Sequence, residues 1–174
     1  RRLRHHPAAV VEALRALDLE PKLGESTTSI TAVIEGARPG PTILLRADMD
    51  ALPLREDTDL DFASELDGAM HACGHDTHVA MLLGAARLLV ERRDDLAGRV
   101  LLMFQPGEEG FHGARFMLDE GLLDVGAHPV DGLRDEAVHR HVLPAGFLVG
   151  LDAGQLEQIV DGAADAERLG EHPL

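Results

Sequence analysis

The chain has 174 residues, a formal net charge of −15 and 45% apolar residues, enough for one domain with a single core. No Trp or Tyr and only five Phe are present, so that core must be aliphatic. The acidic balance speaks against nucleic acid, which needs clustered Lys and Arg, and against an anionic membrane surface.

Taken in chain order, Ala8 to Leu19 has helical spacing, with Val10, Val11, Leu14 and Leu17 on one stripe. Ile30 to Ile34 reads as a β-branched strand. The turn Gly36-Ala37-Arg38-Pro39-Gly40-Pro41 leads to a second strand, Thr42 to Ala47. Ile43-Leu44-Leu45 is apolar on both faces, which predicts a strand buried inside a sheet. The short turn predicts that these two strands run antiparallel. Asp48 to Gly68 is acidic and irregular. Val79 to Val90 is almost wholly apolar and reads as a buried helix capped by Asp76 or Thr77. Arg99 to Phe104 is a third strand, and His112 to Glu120 a short helix stopped by Gly121. Gln155 to Leu169 reads as a last, weakly amphipathic helix. Alternating strands and helices predict an α/β sandwich with a mixed sheet.

Several chemistries are excluded or narrowed at once. Lys22 is the only lysine, so a Schiff-base mechanism would rest on that residue in the polar stretch Glu20-Pro21-Lys22. Cys73 is the only cysteine, so no internal disulfide can form. The basic start, Arg1 to His6, has no apolar segment behind it and does not read as a signal peptide. No run of 18 apolar residues exists, so no membrane-spanning helix is expected. These features predict a cytoplasmic protein. The chain starts without Met, from which we expect missing or trimmed first residues.

Chemistry-bearing residues concentrate where strands end, which is where α/β folds place their sites. Cys73 and His75, if extended, project to the same side as a thiolate–imidazole pair suited to zinc, manganese, cobalt or nickel. A buried Cys beside surface histidines is the alternative, but His71, His75, Asp76 and His78 crowd the same eight residues. A cysteine nucleophile would need a His base aligned with the sulfur, and Cys73-Gly74-His75 places that His too close in sequence. Glu108 and Glu109 sit between Pro106, Gly107 and Gly110 in a constrained turn. One of the pair could ligate a metal while the other moves a proton, or both could open the following helix, favoured by its dipole. Asp48-Met49-Asp50 is a third acidic pair with same-face spacing, open to metal work, a helix cap or a turn. His141 has no pattern of its own. His5, His6, His112, His128 and His172 read as surface or capping residues.

Three segments together resemble the M20 peptidase family, in its amidohydrolase branch: Arg46-Ala47-Asp48-Met49-Asp50-Ala51-Leu52-Pro53, Met70-His71-Ala72-Cys73-Gly74-His75-Asp76 and Phe104-Gln105-Pro106-Gly107-Glu108-Glu109-Gly110. That branch includes hippurate hydrolases, aminoacylases and auxin-conjugate hydrolases. The resemblance is good from Gly36 to Leu123 and weaker from Val138 to Gly150. It implies a mixed-sheet α/β/α sandwich of the zinc-exopeptidase type, two divalent metal ions, and hydrolysis of the amide bond of N-acyl amino acids through a metal-bound water. Carried over by position, Glu108 is the general base, and Cys73, His75, Glu109 and His141 are metal ligands. Asp50 would support the metal site from behind a ligand.

The resemblance also implies parts that this sequence does not match. The family's His-x-His-Pro-Glu-Leu start is reduced to Arg4-His5-His6-Pro7. After Gly150 a dimerisation domain and a final His ligand are expected, and Leu151 to Leu174 resembles neither. We therefore expect a partial catalytic domain over 1–150 and an unmatched tail over 151–174. A catalytically inactive remnant is the alternative reading.

Overall fold

The computed structural model describes residues 6–122, 124, 141–143 and 147–149. In chain order these form helix α1 (His6–Arg15), strands β1 (Lys22–Leu23), β2 (Ile30–Glu35) and β3 (Arg38–Asp48), helix α2 (His75–Glu91) and a 3₁₀ turn (Arg93–Asp95). Strand β4 (Ala97–Gln105), helix α3 (Gly113–Asp119) and a hairpin of β5 (His141–Leu143) and β6 (Phe147–Val149) follow. The expected Gln155–Leu169 helix and the 151–174 tail lie outside the described residues.

The main sheet has the order β1-β2-β4-β3. It is mixed, as expected: β2 pairs with β4 antiparallel, and β3 pairs with β4 parallel. The strands β2 and β3 do run in opposite directions, yet they are not neighbours, because β4 inserts between them. The short turn sets direction only; adjacency comes from β4, more than 50 residues on, whose apolar side chains serve both faces. Accordingly β4 rather than β3 is the buried strand. Its residues from Val100 to Gln105 are all buried, whereas Ile43 and Leu45 of β3 are half-buried.

Strand alternation divides β4 between two layers. Val100, Leu102 and Phe104 join Ile30, Ala32 and Ile34 under the helices, against Val10 and Leu14 of α1 and Val79, Leu82 and Ala86 of α2. Leu101 and Met103 turn to the opposite face, where Leu44, Met117 of α3 and Leu122 cover them. The product is the expected α/β/α sandwich. Helix α2 buries one stripe rather than its whole surface, and Leu88 is 64% exposed. Its cap also differs from expectation. Gly74, at φ 78°, precedes the helix without a side-chain cap. Thr77 instead donates its hydroxyl to the Gly74 carbonyl, and Asp76 accepts from the Thr77 amide. Gly121 ends α3 in the left-handed region, as a C′ glycine does.

Strands β3 and β4 carry the site. Being parallel and in register, they finish side by side, with Asp48 opposite Gln105. Near their starts the backbones come so close that a Cβ on Gly98 would lie 2.0 Å from the Pro41 carbonyl oxygen.

Candidate metal centre

Two loops leave the finished ends of β3 and β4 and are tied together there. The segment after β3 is pinned by a pair of backbone hydrogen bonds, Leu52 N–H to Met70 O at 2.9 Å and Met70 N–H to Leu52 O at 3.1 Å. This bridge brings the Met70–Cys73 turn back to Asp48 and Asp50. The segment after β4 folds tightly before α3: Gly113 N–H donates to Gly107 O at 3.1 Å, and a Cβ on Gly113 would lie 1.5 Å from the Pro106 oxygen. Glycine at 113 therefore lets the loop close with Glu108 and Glu109 at its tip. The Glu109 amide donates to Asp50 Oδ2 at 2.9 Å, which fixes the two loops to each other.

His75 is the hub. It is 2% exposed, and its Nδ1 lies 3.0 Å from the Asp50 carbonyl oxygen and 3.2 Å from Asp50 Oδ1. Nδ1 is thereby the protonated nitrogen, which leaves Nε2 with a lone pair. Nε2 lies 3.6 Å from Asp48 Oδ2, 3.8 Å from Glu108 Oε2 and 4.0 Å from Glu109 Oε1, each beyond hydrogen-bond length. A buried lone pair facing three carboxylates is an electrostatic arrangement that a cation completes.

The donor set agrees. Ligand atoms of Cys73, His75 and Glu109 lie within 4.8 Å of one another, as do those of Asp48, His75 and His78. Nitrogen, sulfur and oxygen donors at this spacing suit a first-row divalent ion. Cys73 and His75 converge as expected, though not through extended backbone. Gly74 turns the chain, so Cys73 ends a turn and His75 opens α2.

The acid–base properties follow from the crowding of carboxylates. Burial, followed by the charge of Asp48, pushes the Glu108 carboxyl above its ordinary value. A hydrogen bond with Glu109, with burial and the Glu109, Glu108 and Asp48 charges adding to it, holds the Cys73 thiol up. Carboxylates that raise the thiol work against an activated cysteine nucleophile. Burial works against the charge of Asp50, but the amides of Glu109, Glu108 and Asp50 itself, together with His75, outweigh it and hold the carboxyl low.

Of the residues singled out by sequence, Cys73, His75, Glu108 and Glu109 come together with Asp48 and Asp50. His141 opens β5, opposite Val149, and its side chain lies outside the described residues. His71 falls outside both ligand clusters, and His112 precedes α3 as an exposed residue with no side-chain cap. Sequence reasoning passed over Arg46 and Gln105. Arg46 Nη2 is 3.0 Å from Asp48 Oδ1, and its Nε donates to Gln105 Oε1 at 2.7 Å. The signal was present: Arg46 precedes Asp48 by two on a strand and so shares its face.

Residues 44–161 match the model of peptidase family M20/M25/M40. The chain belongs to this family. Among similar proteins is thermostable carboxypeptidase 1 of Saccharolobus solfataricus, 52% identical over 118 residues, which are 66% of this chain and 30% of that protein. N-acetylcysteine deacetylase of Bacillus subtilis is 46% identical over 134 residues, covering 77% of this chain and 34% of the relative. Among solved structures, a Bacillus subtilis dinuclear metal-binding M20 peptidase superposes with a TM-score of 0.65 at 44% identity, over 68% of this chain and 33% of that one. The chain thus spans about a third of the length of the relatives it matches. The M20 match gives the family, and the mixed α/β fold is similar to that of the dinuclear metal-binding peptidase.

Proposed function

We propose that the protein is a metal-dependent amidohydrolase that cleaves the amide bond of N-acyl amino acids, with Glu108 as its general base. One observation carries this reading: Glu108, its carboxyl raised by burial, stands 3.8 Å from the free nitrogen of a buried histidine that converges with Cys73 and Glu109. A carboxyl held above its ordinary value takes a proton more readily than an ordinary carboxylate and can pass it on. The relatives' names span a carboxypeptidase and an N-acetylcysteine deacetylase. Their common chemistry is an amide next to an amino acid, and the amidohydrolase branch is the one the three sequence segments resemble.

In this reading Cys73, His75, Glu109 and His141 hold two divalent ions, of zinc, manganese, cobalt or nickel. Bound there, the ions would polarise the acyl carbonyl and acidify water. The chain's own residues do the rest. Glu108 accepts a proton from the attacking water and delivers it to the leaving amine. Asp50 holds His75 in the tautomer that points Nε2 at the site and, through the Glu109 amide, keeps the two catalytic loops in register. Arg46 fixes Asp48 beside them. A reducing cytoplasm suits the free, exposed Cys73, and finding the protein in an oxidised compartment on cell fractionation would contradict that placement.

The test is hydrolysis of N-acetyl amino acids by the purified chain loaded with zinc, manganese or cobalt. Glu108→Gln is expected to keep its metal content while turnover falls about 10²- to 10⁴-fold, the range that general acid–base catalysis contributes. Turnover by Glu108→Gln at the parent rate would remove Glu108 from the mechanism. Metal binding without turnover in the parent chain would instead support an inactive remnant.

A further inference from the structure

The candidate ligands around His75 form two groups rather than one. On one side stand Cys73 and Glu109; on the other stand Asp48 and His78. His75 belongs to both, but it has a single lone pair to give, because Nδ1 is committed to Asp50. Nε2 can therefore ligate one cation at a time, and the two groups compete for it.

We propose that Asp48, His75 and His78 form an alternative divalent-cation site, free of sulfur, that takes the ion whenever Cys73 is not available as a ligand. The inference rests on the reading of Cys73 and His75 as metal ligands and adds a site to it. The geometry is specific. Asp48 Oδ2 lies 3.6 Å from His75 Nε2 and 3.6 Å from His78 Nδ1. Donors about 2.1 Å from a tetrahedral zinc are separated by about 3.4 Å, so the two oxygen–nitrogen edges already approach those of such a cage, and all three donors lie within 4.8 Å of one another. The site is also held in place before any ion arrives. Arg46 occupies Asp48 Oδ1 and leaves Oδ2 to face both imidazoles. His75 and His78 follow one another on α2, one turn apart, with rings stacked at 5.6 Å between centroids.

The electrostatics favour a cation despite the helix terminus. Both histidines sit in the first turn of α2, whose dipole opposes positive charge. Asp48 supplies a full negative charge 9% exposed, and Glu108 and Glu109 lie within 4.0 Å of Nε2 on the far side. Full charges at these distances outweigh the half charge of a helix end. Exposure differs between the groups as well. Cys73 is an exposed thiol, open to oxidation or alkylation, whereas Asp48 and His75 are buried. Loss of the thiol would thus move the ion inward rather than release it.

Cobalt(II) distinguishes the sites, because a thiolate ligand gives a charge-transfer band in the near ultraviolet that nitrogen and oxygen ligands do not. Wild-type chain is expected to show that band. Cys73→Ser should lose the band yet still bind cobalt or zinc, seen by titration calorimetry and by the visible cobalt bands. Adding His78→Ala to Cys73→Ser should weaken this residual binding by more than about tenfold. Residual binding unchanged by His78→Ala overturns the proposal, as does a folded Cys73→Ser chain, checked by circular dichroism, that binds no cation. If Cys73→Ser does not fold, alkylating Cys73 on the folded wild-type chain poses the same question with the same two outcomes. Failure of the hydrolase reading looks different: no thiolate band and no N-acetyl amino acid cleavage in the wild-type chain, whatever His78 does.

Discussion

Strands β3 and β4 each pass through two environments, and the contrast between them separates what holds this protein together from what it does. In their inner stretches Leu44, Ala47 and Leu101 to Phe104 are buried against apolar neighbours that need nothing further. A few residues later, at the end of β3 and on the loops that leave both strands, Asp48, Asp50, Glu108 and Glu109 crowd one imidazole, with Arg46 as the cation that offsets them. The inner region is complete in itself. The end region is stable only because the inner one supports it, and it becomes favourable in its own right when a cation arrives. Substitutions in the two regions should therefore respond to metal in opposite ways.

The largest effect belongs to the core. Phe104, fully buried in the layer beneath α1 and α2, should cost about 3–5 kcal/mol as Phe104→Ala, through lost burial and the cavity left behind. Denaturant unfolding measures it, and the loss should be the same with and without added zinc. A loss that zinc restored would mean that core and metal site are not separable.

Next in size is the hinge between the regions. Gly113→Ala forces a Cβ toward the Pro106 carbonyl oxygen, with 1.5 Å between them before relaxation. The Pro106–Gly113 loop must open, costing about 1–3 kcal/mol. Unlike the core change, it should also weaken cation binding, because Glu108 and Glu109 ride on that loop. Calorimetric titration showing wild-type affinity would place the strain elsewhere.

Much of this division was legible in the sequence, and its failures have physical causes. The apolar runs within 30–34, 42–47 and 99–104 read as strands because short, largely apolar runs bounded by turn signals suit a buried strand. Their order in the sheet was not legible. Strand β4 pairs with Ile30–Glu35 on one side and Thr42–Asp48 on the other across long sequence separations, and no local pattern encodes that choice. Helix α2 was read as buried all round from composition, but covering it would need a layer outside it, and Leu88 faces none among the described residues. In the site, the carboxylate and Cys–His motifs stood out by density. The Asp48–His78 contact did not, since it depends on a strand end meeting a helix turn 30 residues later. The extended reading of Cys73 to His75 failed at Gly74, whose left-handed backbone starts the helix there.

A smaller effect, of opposite sign, belongs to the metal site. Without metal, Glu108 has a carboxyl raised above its unfolded value. Its contribution to stability is present at low pH, where it is protonated, and is lost as pH rises through the raised value. Glu108→Gln does not titrate, so the metal-free variant should be more stable than wild type near pH 8, and the gap should close near pH 4. Thermal unfolding at the two pH values reads the difference. A variant less stable than wild type at pH 8 would show that Glu108 is satisfied without a cation.

The smallest effect comes from an acidic residue that has its partners already. Glu120, beyond α3, accepts hydrogen bonds from the Ser26 hydroxyl, the Ser26 amide at 2.7 Å and the Glu25 amide at 3.2 Å. The Ser26 hydroxyl and amide, more than the Glu25 amide, hold its carboxyl below the ordinary value. The sign is the reverse of Glu108: the stabilisation is present above the unfolded carboxylate range and is lost as pH falls through the lowered value. Glu120→Gln should lower the unfolding midpoint slightly near pH 7, and the difference should vanish on acidification. Because Glu120 is exposed, the shift should be slight. Zinc should leave it unchanged, which is what separates a carboxylate satisfied by protein donors from the group around His75 that depends on an ion. A Glu120→Gln shift that varied with zinc would break the comparison at its weakest point, by tying the 24–29 loop beside β2 to the metal site beyond β3 and β4.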